Sequence, residues 1–148
     1  MKKRSIILLV IFAILILIFI YFKIQSIQEE TKNILKFNSE FEEYLDKEIY
    51  GTNVITVINR AIDYNEKNKI LKDDKGYYIE NDEKSIIVEL QFINNKDKIV
   101  TYRMEQIANL GIEKFLSSDF NLINFKSTNK EYHKNGRISK IIFTQLEK

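Results

Sequence analysis

The chain has no cysteine, no proline and no tryptophan, and only one histidine and four glycines among 148 residues. Each shortage closes off a class of chemistry. Without cysteine there can be no disulfide, no thiolate nucleophile and no cysteine-based zinc site, so any folded domain must hold by packing alone. The single histidine, His133, cannot build a usual zinc site without cysteine partners. The lack of proline and the scarcity of glycine exclude collagen-like, linker-rich and mucin-like segments. No Asn-x-Ser/Thr triplet occurs, so the chain carries no acceptor for N-glycosylation. The G-x-S-x-G elbow, the phosphate-binding P-loop and the G-x-G-x-x-G fingerprint are all missing.

Charge is nearly balanced. Lys and Arg number 23 against 21 Asp and Glu, a net +2. Lys2, Lys3 and Arg4 supply three of the positive charges, which leaves 20 against 21, or −1, for the rest. A near-neutral domain has no electrostatic reason to seek nucleic acid, and no nucleic-acid partner is expected.

What is abundant is a greasy run near the start. Residues Ile6 to Phe22 read IILLVIFAILILIFIYF, seventeen residues without a charge, fifteen of them Ile, Leu, Val or Phe. As a helix they extend about 25 Å at 1.5 Å per residue, at the short end of what spans a hydrocarbon core of about 30 Å. Arg4 and Lys23 flank the run and can reach the headgroups, and Tyr21 suits the interface. A cleaved signal peptide would have a shorter core followed by small residues. Here Tyr21-Phe22-Lys23-Ile24-Gln25 follows, so an uncleaved anchor in contact with membrane lipid is expected. A buried core helix would need partner surface all round, more than so small a domain supplies.

Lys2, Lys3 and Arg4 crowd one side of the run, whereas Lys23 on the other side is followed by Glu29 and Glu30. The positive-inside rule therefore expects residues 1–5 in the cytoplasm, 6–22 across the cell membrane and the remainder outside. Five cytoplasmic residues are too few for an output domain, so signalling by this chain alone is not expected.

From Lys23 to Glu48 nothing breaks a helix. Ile24, Ile27, Ile34, Phe41 and Leu45 follow a 3-4 spacing in which Thr31 and Asn38 take two further positions. This juxtamembrane stripe, residues 23–48, could pair with another protein or with itself. The competing expectation is that it packs on its own domain, because Leu35, Phe37, Tyr44 and Ile49 widen the apolar face beyond a narrow seam.

Residues 49–148 read as one small extracytoplasmic domain. Gly51 breaks the first helix, and Thr52 or Asn53 should cap a second running to about Asn65, with Val54, Val57, Ile58, Ala61 and Ile62 on one face. Tyr77 to Ile79 suggests a short strand. Ile86 to Ile93 alternates as a strand, Asn94-Asn95-Lys96-Asp97 as a turn, and Ile99 to Arg103 as an antiparallel partner. Met104 to Ser117 has helical spacing interrupted at Gly111. Leu122 to Tyr132 and Arg137 to Leu146 are expected strands joined at Lys134-Asn135-Gly136, where Asn-Gly is a strong hairpin signal. The expected class is α+β: a transmembrane helix continuing into a long amphipathic helix, then a mainly antiparallel sheet packed on helices.

No residue stands out as catalytic, cofactor-binding or metal-ligating. His133 adjoins a predicted turn and is expected to be exposed. The pairs Asp73-Asp74 and Asp82-Glu83 flank Tyr77-Tyr78, but adjacent carboxylates do not meet the alternating spacing of a calcium loop. Glu29-Glu30 and Glu42-Glu43 read as solvated helix faces. No cofactor is expected, and an envelope enzyme or small-ligand-binding module is the least favoured class. The expectation is a membrane-anchored protein acting by binding, as a structural or accessory subunit of a cell-envelope assembly. The order of hydrophobic helix, amphipathic continuation and antiparallel sheet also resembles pilins and pseudopilins, which would imply assembly through the N-terminal helix. Members of that family carry a glycine-ended leader and a glutamate just inside the hydrophobic segment. In this chain Ser5 precedes the segment and Ile6 to Phe22 contains no acid.

Overall fold

A computed structural model describes residues 2–93, 98–111 and 119–146. The chain divides into two compact units, Met1–Lys36 and Phe37–Lys148. Helix α1 covers Lys2–Glu42, 41 residues without a break, as expected where neither glycine nor proline interrupts good helix formers. Within it lies a stretch near the N-terminus long and apolar enough to cross a membrane, and none of that stretch is buried by the protein.

The helix ends earlier than its apolar spacing predicts, at Glu42 rather than Glu48. Tyr44 and Leu45 N–H bond back to Phe41 and Glu42 in a closing turn. Asp46 then adopts a left-handed conformation at φ 58° and donates its N–H to Ser127 Oγ at 3.0 Å. Instead of a last helical turn, Glu48–Tyr50 forms strand β1. It pairs antiparallel with a later strand, placing Ile49 opposite Phe125. Tertiary pairing here overrides local helical periodicity.

Helix α2 spans Gly51–Lys67 and buries Val54, Ile55, Val57, Ile58, Ala61 and Asn65. The expected Thr52 or Asn53 cap is not used: Tyr50 is the N-cap, without a side-chain bond. Gly51 instead donates its N–H to Ile123 at 3.0 Å and lies against Phe120, where a side chain has no room. Strand β2, Ile87–Ile93, pairs antiparallel with β3, Ile99–Arg103. The turn expected at 94–97 lies outside the described residues. Helix α3 covers Met104–Asn109, shorter than the expected 104–117, and Gly111 turns the chain at φ 83°. The remainder of that expected helix falls outside the described residues. A single 3-10 turn, Asp119–Leu122, leads into β4, Asn124–Tyr132, and β5, Ile138–Gln145. Tyr77 to Ile79 makes one bridge, Lys72 to Tyr78, rather than a strand.

The fold is α+β. One five-stranded sheet runs in the order β1-β4-β5-β2-β3. Three of its pairings are antiparallel, whereas β2 and β5 pair parallel, Ile87 opposite Lys140 through Gln91 opposite Thr144. Helix α2 packs against β1, β2 and β4 and against α3. Phe41, Val54, Ile58, Ile86, Leu90, Met104, Phe125, Ile141 and Phe143 are at most 1 % exposed and form the centre of the core. Phe92, Phe120 and Phe125 meet with ring centroids 5.4–6.0 Å apart, in the tilted and edge-on arrangements that aromatic quadrupoles favour.

The 23–48 stripe splits between two environments. Phe37, Asn38, Phe41 and Leu45 are buried, whereas Ile24 and Ile27 are 49 % and 60 % exposed. Asn38, which the spacing places on a pairing seam, donates to Gly136 O at 2.8 Å and accepts from Ile138 N–H at 3.0 Å. Its amide completes the backbone bonding of the β4–β5 hairpin. Asn65 makes the same two-point contact elsewhere, donating to Ile86 O at 2.7 Å and accepting from Ile86 N–H at 3.0 Å.

Candidate functional site

Two surface features are candidates for function. The first is a polar cleft of about 250 Å³ lined by Glu80, Asn81, Asp82, Ser85, Tyr132, His133 and Lys140 among others. The Asn81 side chain builds one wall, since its Oδ1 accepts from the N–H groups of Glu83, Lys84 and Ser85 at 2.7–3.1 Å. Ser85 Oγ accepts from Asn81 N–H at 2.8 Å. The other wall is the end of β4 and the turn after it, where His133 and Arg137 pair through the backbone.

His133 joins the two walls. It is half-buried rather than exposed as its turn position suggests, and Nε2 lies 2.7 Å from Ser85 O. A carbonyl oxygen only accepts, so Nε2 carries the proton. The imidazole thus holds the serine's backbone and not its hydroxyl, which is itself bonded within the Asn81 turn. A nucleophile–base pair requires the ring nitrogen on the hydroxyl; here the ring bonds the backbone and ties the two walls together. Lys140, also on its wall, is paired with Glu89 at 3.0 Å. Among the described residues, no group of three His, Asp or Glu side chains is arranged to hold a metal ion.

The second feature is a small surface loop, residues 71–79. Asp73 Oδ1 accepts from the N–H groups of Lys75 and Tyr77, both at 2.9 Å, which accounts for one of the acidic residues noted in the sequence. Ile79 N–H bonds to Leu71 O at 2.8 Å. This sets Leu71 and Ile79 side by side at the surface, 74 % and 48 % exposed. Tyr78 between them turns inward and is 2 % exposed. Both of its backbone polar groups are held by side chains: Glu105 Oε1 accepts its N–H at 2.8 Å, and the Arg103 guanidinium donates to its carbonyl at 2.9 Å. Arg103 and Glu105 are themselves paired at 3.3 Å. Burial, together with the nearby Glu66 carboxylate, pushes the Tyr78 hydroxyl up to about 12. The loop is therefore clamped at its base, where Leu71 and Ile79 stand exposed beside the clamp.

The remaining polar clusters serve the fold. Arg60 bonds Glu40 O and Glu43 Oε1 at 2.6 and 2.7 Å and lies over the Tyr44 ring. That bond holds the exposed Glu43 carboxyl below the usual range. Arg137 bonds the Tyr64 hydroxyl and stacks over Phe37. Neither the Asn38 and Asn65 contacts nor the Arg103–Glu105 clamp has a signature in linear sequence, because each depends on which backbone the fold brings within reach.

Comparison with known proteins gives no relative: no protein-family model, no curated protein and no solved structure matches the chain.

Proposed function

We propose that the chain is a single-pass membrane protein whose domain from Phe37 onward lies outside the cytoplasm and works by binding, as a structural or accessory subunit of an envelope assembly. The observation behind this reading is the exposure of Ile6 to Phe22. Every large apolar side chain in that run is at least 44 % exposed, a surface that water disfavours by roughly 25 cal/mol per Å² and that lipid would cover. Lys2, Lys3 and Arg4 before the run, against Lys23 followed by Glu29 and Glu30 after it, support a cytoplasmic N-terminus. The exposed Leu71–Ile79 pair beside the clamp supports a binding role. Preorganised aliphatic side chains lose little entropy when a partner covers them.

Three measurements test this. The chain should stay in the pellet when membranes are washed with alkaline carbonate, and protease added outside intact cells should cut the domain. Photocrosslinkers at Leu71 and Ile79 should then capture the same small set of envelope proteins, with a control at exposed Lys126 capturing none of them. Identical products from all three positions would remove the Leu71–Ile79 pair from the proposal.

A pilin-like subunit is the second reading, favoured by the uninterrupted 41-residue helix α1 leading into a domain with an antiparallel hairpin. An intact N-terminus, determined by mass spectrometry of the chain purified from membranes, would count against it.

A further inference from the structure

From Lys23 to Asn33 the helix carries only two aliphatic residues, Ile24 and Ile27. Both are exposed. They fall on a spacing of alternating four and three residues that runs through the apolar segment without a break: Ile6, Val10, Ala13, Leu17, Ile20, Ile24, Ile27, Thr31. Inside the segment every position is apolar, so spacing alone distinguishes nothing there. Size does, because Ala13 is the only small residue among Ile6 to Phe22 and it falls on this line. Small residues let helices in lipid approach closely. Thr31 Oγ1 is turned back onto Ile27 O at 2.9 Å, so its hydroxyl is satisfied within the helix.

Continuing the same spacing, Ile34, Asn38, Phe41 and Leu45 are already buried. The free part of the line ends near Thr31. Lipid tails are a poor cover for Ile27, because Gln25, Ser26, Gln28, Glu29 and Glu30 surround it in sequence and carboxylates resist entry into the hydrocarbon.

We propose that this line is a self-association seam, on which a second copy of the chain packs in parallel and in the same register. The proposal rests on the anchor reading above, which gives every copy the same orientation and depth. In that arrangement each seam residue meets its own counterpart. Flanking positions meet without like charges: Lys23 faces Gln28 of the other copy, and Glu30 faces Leu35. An unrelated partner would need a matching seam at the same depth, whereas a second copy has one by construction.

The absence of cysteine makes a direct test possible in the full-length chain in its own membrane. Single cysteines replace Ile24, Ile27 or Thr31 on the seam, and Gln25, Glu29 or Asn33 off it. Membranes are oxidised and the chain is run without reductant. Seam positions should give at least about fivefold more disulfide-linked dimer than the others, because a disulfide forms only when the two Cβ atoms come within about 4 Å. Equal yields on and off the seam, or no linkage at either, would overturn the pairing. A carbonate wash of the same samples separates the two readings. Retention in the pellet without seam linkage overturns the pairing and leaves the anchor, whereas release into the wash overturns both.

Discussion

Replacing Asn65 with alanine should be among the most damaging single changes in the domain, although the residue touches no ligand and lies far along the chain from its partner. Asn65 is fully buried, as is Ile86, and its amide satisfies both the N–H and the carbonyl of Ile86. Asn65→Ala would leave both backbone groups unpaired at the start of β2. Each orphaned buried group costs about 1–3 kcal/mol, so a loss of about 3 kcal/mol is expected from a total of roughly 5–15 kcal/mol. For the unit Phe37–Lys148, with unfolding entropy near 2.1 cal/mol/K per residue, that corresponds to a Tm lower by about 10–15 °C. The assay is thermal unfolding of the full chain in detergent, followed by circular dichroism in the β-sheet region. Asn65→Asp refines it. The new carboxyl would keep the acceptor for Ile86 N–H but set a charge against the Ile86 carbonyl. Burial would raise its pKa in the folded state, so stability should be recovered as pH falls through that raised value and lost as pH rises. If Asn65→Ala lowers Tm by less than about 4 °C, equivalent to under about 1 kcal/mol, the two bonds do not hold α2 to the sheet and the reasoning is wrong.

Two further outcomes follow from the same packing. Gly51→Ala would press a methyl group against the Phe120 carbonyl and to within 2.7 Å of its ring. It should destabilise the domain by about 1–3 kcal/mol, measured by urea unfolding, whereas Gly76→Ala, where a Cβ meets nothing, should cost only the strain of its positive φ. On alkaline titration followed by tyrosinate absorbance, one phenol should ionise near pH 12 and disappear in Tyr78→Phe. Because that hydroxyl is raised above its ordinary 10.0, its contribution to stability is complete below pH 10 and is lost as pH rises toward 12.

Much of the fold was legible from local pattern. The alternation in Ile86 to Ile93, the return at Ile99 to Arg103 and the Asn135-Gly136 turn each correspond to an observed strand or hairpin, because those signals are set by side chains a few residues apart. The failures share one cause. Tyr44, Leu45 and Ile49 keep a helical spacing, yet the chain leaves the helix at Glu42 because β4 offers a pairing edge that no local reading contains. Asn38 looked like a polar break in a pairing seam, and its role became visible only when the β4–β5 turn lay beside it. His133 shows the same limit at the candidate cleft. A histidine next to a turn gives no hint that a carbonyl 48 residues earlier will accept its hydrogen bond.

The placement of β5 has a consequence for how the domain comes into being. The strand that stands between β4 and β2, and so joins the two sides of the sheet, follows the other four in the chain. Before residues 138–145 emerge from the ribosome, β1 with β4 and β2 with β3 are separate two-stranded pieces, each marginal in water. A growing chain of this design cannot complete its sheet until β5 has emerged. Loss of that strand is therefore more costly than loss of an edge.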